Sequence, residues 1–232
     1  MIFSKFKDVL HLFYPNTCLG CNKHLSYYST LLCVHCLHDL PYSYYSCWEN
    51  NPIEQIFFGK ISIQCATSLF LFQTNSSLKT LIHELKYKNN QLVGEFLGDL
   101  LLLDLSKSDQ YKQLDCVIPV PLHPEKFKQR GYNQLSILGR TLSEGLSIPY
   151  MNKLLVKTNS SDTQTKMNKL DRWKNAQESF HLTDNKILEN KNILLIDDVI
   201  TTGATIEACV KELSKTKNIS ISIAAIAHTI NF

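Results

Sequence analysis

The chain has 232 residues, 44% of them hydrophobic and 19% charged, with a net charge of +3, which reads as a soluble globular protein long enough to bury a sizeable core. No run reaches about 18 apolar residues, which argues against membrane insertion, and Lys5, Lys7 and Asp8 break the apolar N-terminus MIFSKFKDVLHLFYP, which argues against a signal peptide. The expectation is a cytoplasmic protein, in which the eight cysteines serve as metal ligands or core side chains rather than disulfides.

Ile2, Phe3, Phe6, Val9, Leu10 and Phe13 recur at roughly helical spacing, so the chain is expected to begin with a helix. Cysteine, histidine and tyrosine then crowd residues 14–48. CLGC (Cys18, Cys21) and CVHC (Cys33, Cys36) are two C-x2-C knuckles with eleven residues between them. Two thiolates three positions apart on a tight turn reach one tetrahedral zinc, and a second knuckle closes the site. Four thiolates leave no open coordination position, so the expected Zn2+ is structural. His24, His35 and His38 lie close by as alternative ligands, but a complete thiolate set does not need them. Cys47 stands alone, because Asn50 occupies its knuckle position. The composition changes after this stretch, which divides the chain into a module at 1–55, with its helix and double knuckle, and a larger domain at 56–232.

In the larger domain, 61–72 reads as a strand, 76–88 and 91–105 as helices (the first capped by Ser76 or Ser77), and 114–120 as a short buried strand. Helical spacing returns at 132–146, 153–157 is a short strand, and the polar stretch 158–172 reads as a mobile loop. A strand at 192–197, a helix at 205–216 and a strand at 219–229 complete the chain. Cys65, Cys116 and Cys209 fall in these elements as small buried side chains. Strands alternating with helices indicate a mostly parallel α/β sheet, whose ligands gather at the carboxyl ends of the strands. Residues 120–175 hold ten Lys or Arg against four acids, while the rest holds fourteen against seventeen. That asymmetry suits an anionic ligand, a diphosphate or a nucleic acid backbone, although a solvated lysine-rich surface has the same composition.

The most informative stretch is NILLIDDVITTGATIEA, 192–208. A bland reading makes it a strand end followed by a helix N-cap at Asp198 or Thr202. A nucleotide-hydrolase metal strand needs a G-x-x-x-x-G-K-[ST] loop elsewhere, and there is none. A dinucleotide fold needs G-x-G-x-x-G, yet no two of the eight glycines are separated by a single residue. The remaining reading is a ribose 5-phosphate pocket. Two carboxylates accept hydrogen bonds from vicinal sugar hydroxyls, Thr201, Thr202 and Thr205 offer hydroxyls to a phosphate, Gly203 lets the backbone come close, and the next helix points its positive end at the anion.

IDDVITTGAT resembles the phosphoribosyl diphosphate (PRPP) signature of type I phosphoribosyltransferases. Together with the two knuckles, LIHELKY (81–87), VIPVPLHPEKFKQRGYNQ (117–134) and the stretch from Gln164 to Asn175, the chain resembles the ComF family, also called ComFC or GntX-like, over almost its whole length. The resemblance implies a type I phosphoribosyltransferase-like fold, a mostly parallel sheet flanked by helices behind a small four-cysteine zinc ribbon, with a role in natural competence. Carried onto this sequence, it makes Asp197 and Asp198 the ribose-hydroxyl acceptors and Thr201, Thr202, Gly203, Ala204 and Thr205 the phosphate loop. The turn at Pro121, Leu122 and His123 takes the place of the diphosphate loop, with Arg130 as a further contact and Lys86 as a candidate that equally suits a solvated helix lysine. The 158–172 segment takes the place of a flexible hood, and a second cysteine pair often expected around Cys47 is reduced to one member.

The resemblance implies PRPP with Mg2+ as ligand, single-stranded DNA as partner, and cooperation with DNA-uptake proteins such as a ComF-type helicase or a DNA-processing protein. Lys126, Lys128, Arg130 and Tyr132, interleaved with Phe127, have the composition of a single-strand contact, though the aromatics equally suit a core and the lysines solvent. The alternative function is a nucleobase-salvage phosphoribosyltransferase that moves ribose 5-phosphate from PRPP to a base.

Overall fold

The computed structural model describes residues 16–25, 31–73, 76–158 and 179–229. The expected N-terminal helix, most of the 158–172 loop and the Gln164 to Asn175 stretch lie outside the described residues.

Helix α1, Val34–His38, follows the second knuckle, and α2, Pro52–Phe57, starts where the Asn51 side chain accepts from the N–H groups of Ile53 and Glu54. Strand β1 is Cys65–Phe72, so the strand expected from residue 61 begins four residues later. Helices α3, Ser77–Tyr87, and α4, Gln91–Leu105, match expectation closely. The Ser76 hydroxyl does not cap α3; it donates to the Gln73 carbonyl instead. Strand β2 is Cys116–Pro119. Helix α5, Pro124–Arg130, is an element the sequence reading did not foresee, and α6, Leu135–Leu146, follows it. Strands β3, Leu155–Thr158, and β4, Ser179–Leu182, form an antiparallel ribbon separate from the main sheet. Strand β5, Asn192–Ile200, helix α7, Ala204–Leu213, and strand β6, Ser220–Thr229, end the described chain.

The main sheet has the order β1-β6-β5-β2 with every pair parallel. Helices cover a parallel sheet on both faces, which is why β5 and β6 carry nearly unbroken buried runs, Ile193–Ile196 and Ile221–Ala227. The N-terminal module protects the open edge of β1: Leu71 donates to the Pro41 carbonyl at 2.8 Å and Ser43 to the Leu69 carbonyl at 3.0 Å. Asn51 adds a side-chain bond to the Ala66 carbonyl at 2.7 Å, so the module is attached by backbone pairing as well as by packing. Residue 55, where a boundary was expected, falls inside α2.

Strand β5 runs three residues beyond its expected end at Asp197. Its partners explain the difference. On one side β6 continues to pair through Asp197↔Ala225, Val199↔Ala227 and Ile200↔His228. On the other side pairing with β2 stops at Pro119↔Ile196, with a last bond from Val120 N–H to the Ile196 carbonyl at 2.9 Å. The chain peels away there, and a crevice opens at the carboxyl ends of β2 and β5, where this class of sheet places its ligands.

Candidate phosphoribosyl-binding site

A cavity of about 190 Å³ occupies that crevice. Asp197 and Asp198 line it with Pro121, Leu122, His123, Lys126, Arg130, Lys157, Lys86 and Thr205. Asp198 is buried, and its Oδ2 lies 2.9 Å from Lys86 Nζ and accepts from Gln134 Nε2 at 2.7 Å. A buried carboxylate needs such partners, because an uncompensated charge in a low-dielectric site is costly. Lys86 is therefore an aspartate partner delivered by the last turn of α3 rather than a solvated helix lysine.

Asp197 has a different environment. Burial, then the neighbouring Asp198 charge, push its carboxyl up to about 8 despite opposing pulls from the Asp198 N–H, Lys86 and Lys157. Its Oδ1 accepts from that N–H at 2.8 Å. The crevice thus gathers two carboxyls, one of them pushed toward holding its proton, and four basic side chains, Lys86, Lys126, Arg130 and Lys157. The surplus of positive charge favours a polyanion.

Helix α5 explains how the cations arrive. His123 caps it by accepting the Glu125 N–H at 3.3 Å, Pro124 occupies its first turn, and Gly131, at φ 77°, ends it. Lys126 and Arg130 are four positions apart, on one helical face, and both line the acidic cavity. Lys128 and Phe127 instead line a neighbouring cavity of about 400 Å³ with Pro121, Leu122 and Lys157. The Tyr132 hydroxyl is committed elsewhere: it donates to the Leu85 carbonyl at 3.0 Å and accepts from Asn89 N–H at 2.8 Å, tying the chain after α5 to the end of α3.

Of the expected phosphate loop, only Thr205 lines the acidic cavity; Thr201, Thr202 and Ala204 are exposed beside it at the start of α7. The Thr202 hydroxyl accepts from Ala204 N–H at 3.5 Å. Gly203 has φ 77°, and a Cβ there would lie 2.7 Å from Phe57 Cε1 and 2.8 Å from Ile56 Cγ2. Its freedom serves the turn and the close approach of α2. Gly203→Ala should therefore cost about 2–4 kcal/mol, from left-handed strain and overpacking, measured as a fall in the urea midpoint. An unchanged midpoint would show that α2 is not packed on this turn.

The sequence reading missed Gln134 and Lys157. Gln134 closes the VIPVPLHPEKFKQRGYNQ stretch directly before α6, a signal that could have found it, whereas Lys157 lies on β3 outside any of the quoted motifs.

The four knuckle cysteines come together at the far end of α3. Their sulfurs all lie within 4.8 Å of one another, with Cys21 Sγ and Cys33 Sγ 3.7 Å apart. Thiolates about 2.3 Å from a tetrahedral ion would be about 3.8 Å apart, so the cluster fits a metal such as zinc. Backbone N–H groups of Gly20 (3.4 Å) and Cys33 (3.3 Å) point at Cys18 Sγ, the arrangement that supports a thiolate ligand. Burial pushes the Cys36 thiol up to about 12, against a hydrogen bond from Ser77. None of the three histidines is part of the cluster, and Cys47 is exposed, with its thiol on the Lys107 carbonyl at 3.6 Å.

Among the described residues no helix is long and apolar enough to cross a membrane. No family model matches the chain. Among solved structures it is similar to adenine phosphoribosyltransferase from Trypanosoma brucei (TM-score 0.41, 16% identity, 73% of each chain) and to purine phosphoribosyltransferase from Pyrococcus horikoshii (TM-score 0.37, 21% identity, 60% of this chain and 73% of that one). Those scores are low, and the fold class rests on the parallel strand order itself. Sequence similarity is more extensive. The chain is 26% identical over 156 residues to DNA utilization protein YhgH of Escherichia coli K12, covering 66% of this chain and 68% of that one. It is 31% identical over 137 residues to competence protein ComFC of Bacillus subtilis, covering 54% of each. With competence protein F of Haemophilus influenzae the identity is 31% over 210 residues, 89% of this chain and 87% of that one, and on this match the chain belongs to the ComF family.

Proposed function

We propose that the protein binds PRPP with Mg2+ in the crevice at the ends of β2 and β5 and acts in DNA uptake during natural transformation. One observation carries the ligand assignment: both aspartates of the IDDVITTGAT motif share a single small cavity with four cations. The aspartates would take the sugar hydroxyls, the turn at 201–205 the 5-phosphate, and Pro121–His123 with Lys126 and Arg130 the diphosphate. Magnesium, when bound, would neutralise charge on that diphosphate. The role in uptake follows from the relatives, named as competence proteins and a DNA utilization protein.

PRPP with magnesium at about one hundred times its Kd should stabilise the fold by about 2.7 kcal/mol, read as a rise in melting temperature. Asp198→Ala should show no such rise. Equal stabilisation of both proteins would remove the ligand from this crevice. A screen of free bases for diphosphate release separates binding from salvage: rapid turnover with one base would make the protein a transferase.

The division of α5 between two cavities refines the single-strand contact. Phe127 is 50% exposed beside Lys128, an arrangement suited to a stacked base and its phosphate, whereas Lys126 and Arg130 face the crevice. Lys128→Ala should weaken single-stranded DNA binding and reduce its log–log salt slope by about 0.7 while leaving PRPP affinity unchanged. An unaltered salt slope would move the DNA contact off this helix.

A further inference from the structure

Gln134 is a buried amide with both ends engaged. Its Nε2 donates to Asp198 Oδ2 at 2.7 Å, and its Oε1 accepts from Arg130 Nη1 at 2.9 Å. Its neighbours fix that orientation, because guanidinium offers only donors and an ionised carboxylate only acceptors. The segment carrying it is also held. Asn133 accepts from Leu135 N–H at 3.0 Å, and the Tyr132 hydroxyl bridges Leu85 and Asn89.

We infer that Gln134 is a positioning residue that links the diphosphate-binding cation Arg130 to the sugar-binding carboxylate Asp198. This rests on the PRPP reading and deepens it. With Oδ2 occupied by Lys86 and Gln134, Asp198 presents its other oxygen to the ligand. The amide also acts as a neutral spacer. Arg130, stacked over the Tyr87 ring at 5.1 Å, is joined to Asp198 through it without forming a direct ion pair that would compete with an incoming anion. A glutamine suits this place because one side chain supplies an acceptor to the cation and a donor to the acid.

A ligand-free swap tests the contact. Gln134→Glu at pH 8 places two carboxylates across the former hydrogen bond and should lower the melting temperature. Adding Asp198→Asn removes the facing charge and leaves Lys86 and Arg130 to pair with the new carboxylate, so the double variant should melt above Gln134→Glu alone. Absence of that rescue overturns the link, whatever the protein binds.

Ligand selectivity tests the positioning role. Gln134→Met removes both hydrogen bonds, so it should lower affinity for ribose 5-phosphate and for inorganic diphosphate about tenfold each, and for PRPP, which spans both ends, about 100-fold. Equal losses for all three ligands, or none, would reduce Gln134 to a structural filler. A wild-type protein that binds none of the three would overturn the positioning role together with the PRPP reading, while the swap would still report on the contact.

Discussion

Asp197→Asn should weaken PRPP binding about 10- to 100-fold and at the same time make the protein more heat-stable in mildly alkaline solution. The binding loss, read above about pH 8 where the carboxyl is ionised, follows from replacing a carboxylate acceptor that sugar hydroxyls would use, a charge-assisted bond of about 1.5–3 kcal/mol. The stability gain follows from the raised carboxyl. In the unfolded chain Asp197 titrates near its ordinary value of 3.8, and in the fold near 8. Between those values the folded state retains a proton that the unfolded state has released. The protonated form's stabilising contribution is therefore complete below the unfolded value and is lost as pH rises through about 8. An asparagine has no proton to lose. The variant's advantage should be small near pH 5 and largest above pH 8, checked by melting both proteins across that range. Parallel pH profiles would show that Asp197 is not held protonated by its site.

If the four cysteines hold a metal, as their geometry fits, its loss should have the other large effect. Chelation, or Cys18→Ser, should lower the melting temperature by roughly 10 °C, since about 3 kcal/mol shifts a domain of this size by about 2–4 °C per kcal/mol. The effect should extend to the distant crevice. A Cβ at Gly20 would collide with Ser77 Oγ and Cys36 Sγ, so the first knuckle is seated directly on the start of α3, and the end of the same helix carries Lys86 to Asp198. Metal removal should therefore weaken PRPP binding several-fold even at temperatures where the larger domain remains folded. Metal analysis with parallel melts would check both parts. A protein that purifies without metal and melts unchanged would contradict the structural role.

Much of this was legible in the sequence because the relevant signals are local. An unbroken apolar run announces β5, C-x2-C spacing announces the thiolate cluster, and a missing P-loop and missing dinucleotide glycines exclude two competitors. The end of β5 was not legible. Paired acids usually mark a strand terminus, but β6 supplies partners as far as Ile200. Helix α5 could have been found, since HPEKFKQRG carries a capping side chain, a first-turn proline, an early acid, late bases and a terminal glycine. Reading its cations as a phosphate-binding segment obscured those signals. Gln134 meets Asp198 from 64 residues away, and Lys157 reaches the crevice from the β3–β4 ribbon; such encounters depend on tertiary placement that no spacing rule encodes.

The most direct measurement is a structure of the protein crystallised with PRPP and magnesium. Sugar hydroxyls should lie on Asp197 and Asp198, the 5-phosphate against residues 201–205, and the diphosphate between Pro121–His123 and Arg130. PRPP bound away from this crevice, or a crevice left empty at saturating ligand with Lys86 still on Asp198, would contradict that placement.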